Sequence, residues 1–156
     1  MARSAVAVRV PACSIAAAVI AVLAWGAPCS AGSLITVTDS QSWPAGTYHI
    51  DSLTISSTGN LTLEAGCVLV FDTDEGGVVV EGELHAEGEL GSEVVFTSDD
   101  ETSGTWNGIA AEPGGVLHLH SAEVRYAGYG TDVVTVDNAT ANLDHCVILP
   151  PTSIVN

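Results

Sequence analysis

Apolar and polar residues alternate with a period of two in short runs along the chain, and the runs recur at about one coil's length. Leu34–Thr38, Leu53–Ser56, Leu61–Leu63, Val68–Phe71, Val78–Val80, Val94–Thr97, Val116–His120, Glu123–Tyr126, Val133–Val136 and Cys146–Leu149 each read as a short strand rich in β-branched residues. Moving Ile109–Val124 along by twenty-four residues lays Ile109 on Val133, Leu117 on Ala141, Leu119 on Leu143, Ala122 on Cys146 and Val124 on Ile148. Gly114 then falls on Asn138, and these two residue types enter a left-handed turn most readily. Turn formers fill the gaps, as at Ser57–Asn60, Asp74–Gly77, Pro113–Gly115 and Gly128–Gly130. Beyond the N-terminal segment no stretch keeps helical apolar spacing. Ser98–Thr105, polar and acidic, reads as a loop leaving the coil.

A repeat of this length made of strands and turns predicts an all-β stacked solenoid. One coil cannot enclose its own aliphatic side chains, but the next coil covers them, and each buried Leu, Val or Ile contributes about 1.5–3 kcal/mol. Parallel pairing between coils also satisfies the backbone donors and acceptors. An antiparallel sandwich is the competing fold. The coil-length repeat and the lack of tight two-residue hairpin turns favour the solenoid.

Several phrases carry a family resemblance. Leu61–Phe71 (LTLEAGCVLVF) resembles the "LTIEPGTVVKF"-like opening phrase of bacterial secreted right-handed parallel β-helix repeat proteins, and Gly77–Gly88 resembles the phrase that follows it. Val94–Ser98 is similar to "I-x-FTS", Trp106–Ile109 to "W-x-GI", and His120–Gly128 to "H-x-x-I-RYAG", in the same order. The resemblance spans about Tyr48 to Ile148 and implies a right-handed parallel β-helix of the pectate-lyase-like solenoid superfamily. It implies no particular activity. Val70 departs from it, standing where the family often carries lysine.

The N-terminal segment changes the picture of charge and compartment. Arg3 and Arg9 precede an almost unbroken apolar run from Ser14 to Trp25, and small residues follow at Cys29, Ser30 and Ala31. This reads as a signal peptide over 1–31, cleaved after Ala31, which implies a secreted or cell-surface protein. The run is shorter than the ~20 residues of a membrane span, so no transmembrane segment is expected in the mature chain. Residues 32–57 would form a capping segment and first coil, and 58–156 the β-helix repeats. The last strand is followed directly by Pro150, with no cap in view, so further coils or domains in a longer parent chain are expected.

All nineteen acidic residues follow the cleavage point, whereas Arg125 is the single Lys or Arg that does. Such a surface repels nucleic acid, acidic polysaccharide and anionic membrane alike. Of the four cysteines, Cys67 and Cys146 remain in the mature chain. They lie several coils apart, too far for the ~7 Å that a disulfide spans. Both sit at apolar repeat positions and are expected to be buried free thiols.

Three groups of residues could carry chemistry. If extended, Glu81–Glu89 puts Glu81, Glu83, His85, Glu87 and Glu89 on one face and Leu84 and Ala86 on the other. Such a carboxylate row could collect Ca²⁺, which takes several oxygen ligands; an outward solvated face that discourages edge pairing is the simpler reading. His118 and His120 point outward together, and the repeat stacks Asn142 on His118 and Asp144 on His120. Two imidazoles beside a carboxylate could hold Zn²⁺ or a similar metal. Asp72–Gly77 resembles half a calcium loop but lacks the rest of an EF-hand.

No catalytic set stands out. A polyuronate lyase needs a base and cationic groups, yet only Arg125 is available. A hydrolase needs carboxylates at a defined separation, and Asp99 and Asp100 lie side by side in a loop. The resemblance implies a secreted or cell-surface structural or adhesion module, and the lack of a catalytic set fits it. The alternative is a fragment of a carbohydrate-active or carbohydrate-binding β-helix protein, with extracellular polysaccharide or cell-surface components as partners.

Overall fold

The computed structural model describes residues 33–149, apart from Asp74, Glu101, Ser103, Gly130 and Thr131. The 1–31 signal-peptide assignment lies outside the described residues. Among those described there is no helix, and so none long and apolar enough to cross a membrane.

Fifteen strands run β1 (Leu34–Val37), β2 (Ser40–Trp43), β3 (Gly46–Ile50), β4 (Ser52–Ile55), β5 (Asn60–Glu64), β6 (Cys67–Phe71), β7 (Val78–Val80) and β8 (Glu83–Glu87). They continue with β9 (Val94–Ser98), β10 (Ile109–Ala111), β11 (Val116–His120), β12 (Ala122–Val124), β13 (Val134–Val136), β14 (Thr140–Asp144) and β15 (Val147–Ile148). Every third strand joins the same sheet. The three sheets are β1-β4-β7-β10-β13, β2-β5-β8-β11-β14 and β3-β6-β9-β12-β15. All twelve ladders between them are parallel, which rules out the sandwich. The chain is a parallel β-solenoid of about four turns, each rung contributing one strand to each sheet.

The inward side chains stack in columns. Leu61, Leu84 and Leu117 form one, and Leu63, Ala86 and Leu119 the next; all six are buried. On the neighbouring sheet Leu53, Val78 and Ile109 align, and on the third Leu69, Phe96 and Val124. Period-two alternation therefore sets which side chains enter the core. Among the described residues the column reaches the fifth rung. Leu143 and Ile148, which continue the inward rows, are 39% and 36% exposed because no described strand covers them.

The twenty-four-residue shift holds for β11 on β14 and β12 on β15, where Leu117 meets Ala141, Leu119 meets Leu143 and Val124 meets Ile148. It fails by one residue on the first sheet, where Ile109 pairs with Val134 and not Val133. The turn at 137–139 is one residue shorter than its counterpart at 112–115, and the difference appears as that slip. Across the whole stack the advance per turn is uneven, from eighteen residues (Leu34 to Ser52) to thirty-three (Glu83 to Val116). Turns of different length are accommodated because parallel ladders constrain the strands and leave the corners free. Asn138 (φ 50°) and Gly114 (φ 88°) both take the left-handed conformation, and the Gly114 N–H donates to the Asn138 carbonyl at 3.1 Å.

Glycines at two corners allow neighbouring turns to touch. A Cβ on Gly82 would lie 2.2 Å from the Ser56 carbonyl oxygen, and one on Gly88 would lie 2.0 Å from that of Ser121. Cys67 is a buried free thiol as expected. Cys146 is free but only partly buried, because its rung is covered on one side alone.

Candidate functional site: the outer face of one sheet

The residues singled out for their chemistry mostly gather on the outward face of β2-β5-β8-β11-β14. In β8 the alternation places Glu83, His85 and Glu87 outside while Leu84 and Ala86 are buried; in β11 it does the same for His118 and His120. Glu81 and Glu89 were expected on that face too, but the strand ends at Glu83 and Glu87. Glu81 lies in the preceding turn, and Glu89 forms an antiparallel bridge with Ser92.

Parallel register turns these positions into columns. Ser42, Thr62, His85, His118 and Asn142 form one, and Glu64, Glu87, His120 and Asp144 form its neighbour. The His85 and His118 rings stack with centroids 5.1 Å apart and planes within 5°. His85 Nε2 faces Glu83 Oε2 at 3.4 Å, and that same oxygen accepts a 2.6 Å bond from Asn60 Nδ2. Ser42 Oγ donates to Glu64 at 2.7 Å. These polar groups largely satisfy one another.

The last two rungs assemble a tighter group. His120 Nδ1 lies 3.0 Å from Asp144 Oδ2, and His145 Nδ1 lies 2.8 Å from Asp144 Oδ1. The His120 and His145 rings meet edge to face at 5.8 Å. One donor atom from each of His120, Asp144 and His145 falls within 4.8 Å of the others, the one such group of three among the described residues. The His145 hydrogen bond, with a smaller contribution from His120, holds the Asp144 carboxyl below the usual carboxylate range.

The stacking of His118 on Asn142 and of His120 on Asp144 follows the sequence repeat. His145 does not follow from it, because strict alternation would point the residue after Asp144 inward. His145 instead adopts a left-handed conformation (φ 53°) and its side chain is 75% exposed. Ser121, twenty-four residues earlier at the same corner, has φ 46°. A polar residue at both corner positions was the signal available in the sequence.

A second feature is an open depression where β1, the β3–β4 corner and two loops meet. Leu34, Asp51, Ser52, Asp72, Thr73, Glu75, Gly76 and Tyr129 line it. His49 Nδ1 lies 3.1 Å from Asp72 Oδ1, so this carboxylate already has a partner. A Cβ on Gly76 would lie 1.8 Å from the Asp51 carbonyl, which accounts for glycine in the acidic turn.

No family model matches the chain, and no curated protein or solved structure matches it significantly.

Proposed function

We propose that the chain is a secreted or cell-surface structural or adhesion module, a right-handed parallel β-helix of the pectate-lyase-like kind. The observation that supports this most directly is the outer face of β2-β5-β8-β11-β14. Its Glu, His, Asn and Ser side chains bond along and across the rungs and make a hydrated, ordered wall over a continuous aliphatic column. Such a wall suits a spacer that holds its shape outside the cell. The acidic excess supports the same reading, because a surface of one sign resists self-association and anionic polymers. The resemblance of the strand phrases to secreted β-helix repeat proteins supports the export, the handedness and the superfamily.

Expressing the full chain in a bacterial host with a C-terminal tag tests the export. Recovery outside the cytoplasm with a new N-terminus after Ala31 is the expected result. An unprocessed chain retained in the cytoplasm would overturn it. Binding of the processed chain to whole cells or cell-wall preparations then tests the adhesion role.

A second reading has its own observation. The open depression combines the carboxylates of Asp51, Asp72 and Glu75 with the half-exposed ring of Tyr129. An aromatic face beside hydrogen-bond acceptors is what a neutral sugar requires. A panel of neutral and acidic glycans separates the readings: binding or turnover that Tyr129→Ala removes favours a carbohydrate protein, and silence across the panel favours the spacer.

A further inference from the structure

We infer that His120, Asp144 and His145 form a binding site for a late first-row divalent cation, with Zn²⁺ as its natural probe, and that the bound ion staples the fifth rung to the fourth. The donor set selects the metal class. Two imidazole nitrogens and one carboxylate suit Zn²⁺ and its neighbours, whereas Ca²⁺ takes six to eight oxygens. Bonds of about 2.0–2.1 Å to a tetrahedral ion place ligand atoms a little over 3 Å apart. The two Nδ1–carboxylate separations are 3.0 and 2.8 Å, and the whole group lies within 4.8 Å. The two nitrogens now face opposite oxygens of one carboxylate, so binding asks for side-chain rotations that bring both round a common ion. Each imidazole now keeps its proton on Nδ1 and donates it to Asp144; to bind the ion it would take the other tautomer, the proton passing through solvent to Nε2 and leaving the Nδ1 lone pair for the metal. Solvent would complete the coordination, since the side chains are 49%, 55% and 75% exposed.

The position of the site in the stack gives the ion its role. His120 belongs to β11, while Asp144 ends β14 and His145 forms the corner before β15. All five residues of β14 and both of β15 are exposed, in contrast to the buried Leu117 and Leu119 below them. The fifth rung is thus held by ladder hydrogen bonds with little apolar cover, and such elements open first. A ligand bridging two rungs acts where that packing is weakest.

The test uses the full chain, titrated with Zn²⁺ by calorimetry and with Co²⁺ by visible absorption. One equivalent should bind, with the absorption of an imidazole- and carboxylate-ligated Co²⁺. His120→Asn and His145→Asn should each lower affinity by at least about 10–100-fold, the range that loss of even an outer-sphere partner produces. His85→Asn, His118→Asn and Cys146→Ser should bind as the parent does. Hydrogen exchange over 140–148 should slow when Zn²⁺ is added, and millimolar Ca²⁺ should reproduce none of these effects. Failure to bind at millimolar Zn²⁺, or unchanged affinity in His120→Asn and His145→Asn, would overturn the site. Loss of binding in Cys146→Ser would overturn the ligand set. Binding without slower exchange over 140–148 would overturn the staple.

Discussion

The indole of Trp106 lies flat on the ring of Phe71, with centroids 4.2 Å apart and planes within 9°. Both side chains are fully buried, and Trp106 Nε1 donates a 2.8 Å hydrogen bond to the Arg125 carbonyl. The Trp106 carbonyl in turn accepts from the Gly128 and Tyr129 amides. One residue thus fills the space beside β6 and fastens the segment after β12. Trp106→Ala should cost about 3–5 kcal/mol, the range for truncating a buried large aromatic. Trp106→Phe should cost less, because it keeps most of the packing, but not nothing, because it leaves the Arg125 carbonyl without this donor. Urea unfolding of the three proteins checks the order, and equal midpoints would show that the stack carries no stability.

Leu119 and His118 are neighbours on β11 but face opposite ways. Leu119 is 1% exposed and His118 is half-buried on the outer wall. Leu119→Asp should unfold the chain, since a carboxylate in an apolar stack costs several kcal/mol. His118→Asp should remain folded, with circular dichroism close to that of the parent. Similar damage from both would mean that the in/out alternation is misassigned.

Two kinds of glycine should respond differently to alanine. Gly88→Ala and Gly82→Ala drive a Cβ against backbone oxygens at 2.0 and 2.2 Å, so neighbouring turns must separate. Their cost should reach or pass about 3 kcal/mol, the upper end for overpacking. Gly114→Ala meets nothing within 4 Å and suffers only from its φ of +88°, worth about 1–2 kcal/mol. Thermal melting of the set tests this, and a Gly114→Ala protein less stable than Gly88→Ala would contradict it.

Cys67 links burial to alkaline stability. Burial, aided by the nearby Glu64 carboxylate, pushes its thiol up to about 12 from 9.0. Between those values the unfolded thiol has lost its proton and the folded one keeps it, so the folded state binds more protons. Stability is therefore full below pH 9 and falls as pH rises toward 12, by at most about 1.4 kcal/mol per unit. Cys67→Ala should flatten that decline in denaturant midpoints measured from pH 8 to 11; an unchanged slope would rule the thiol out as its cause. At pH 8 iodoacetamide should label the partly buried Cys146 and spare Cys67 in the native protein.

Much of this arrangement was legible in the residues themselves. Alternation is a local property, so Leu84, Ala86, Leu117 and Leu119 declared their inward direction, and His85, His118 and His120 their outward one. The repeat aligned His118 with Asn142 and His120 with Asp144, because residues at matching positions of stacked turns become neighbours. Even the lack of a bridge between Cys67 and Cys146 followed from their separation along the stack.

Other features came only with the folded chain. β2 and β3 are polar or mixed strands, SQSW and GTYHI, and they become strands because β5 and β6 offer them a ladder. The slip that pairs Ile109 with Val134 goes with the turn that follows, one residue shorter at 137–139 than at 112–115. The turn of His145 toward Asp144 depends on a left-handed corner that alternation does not describe. The sequence by itself determined which face is buried in strands that alternate clearly, such as β8 and β11, since that needs only the period of two. The tertiary structure decided how the rungs align and where the corners point. Those are set by backbone contacts between turns eighteen to thirty-three residues apart, which no local pattern encodes.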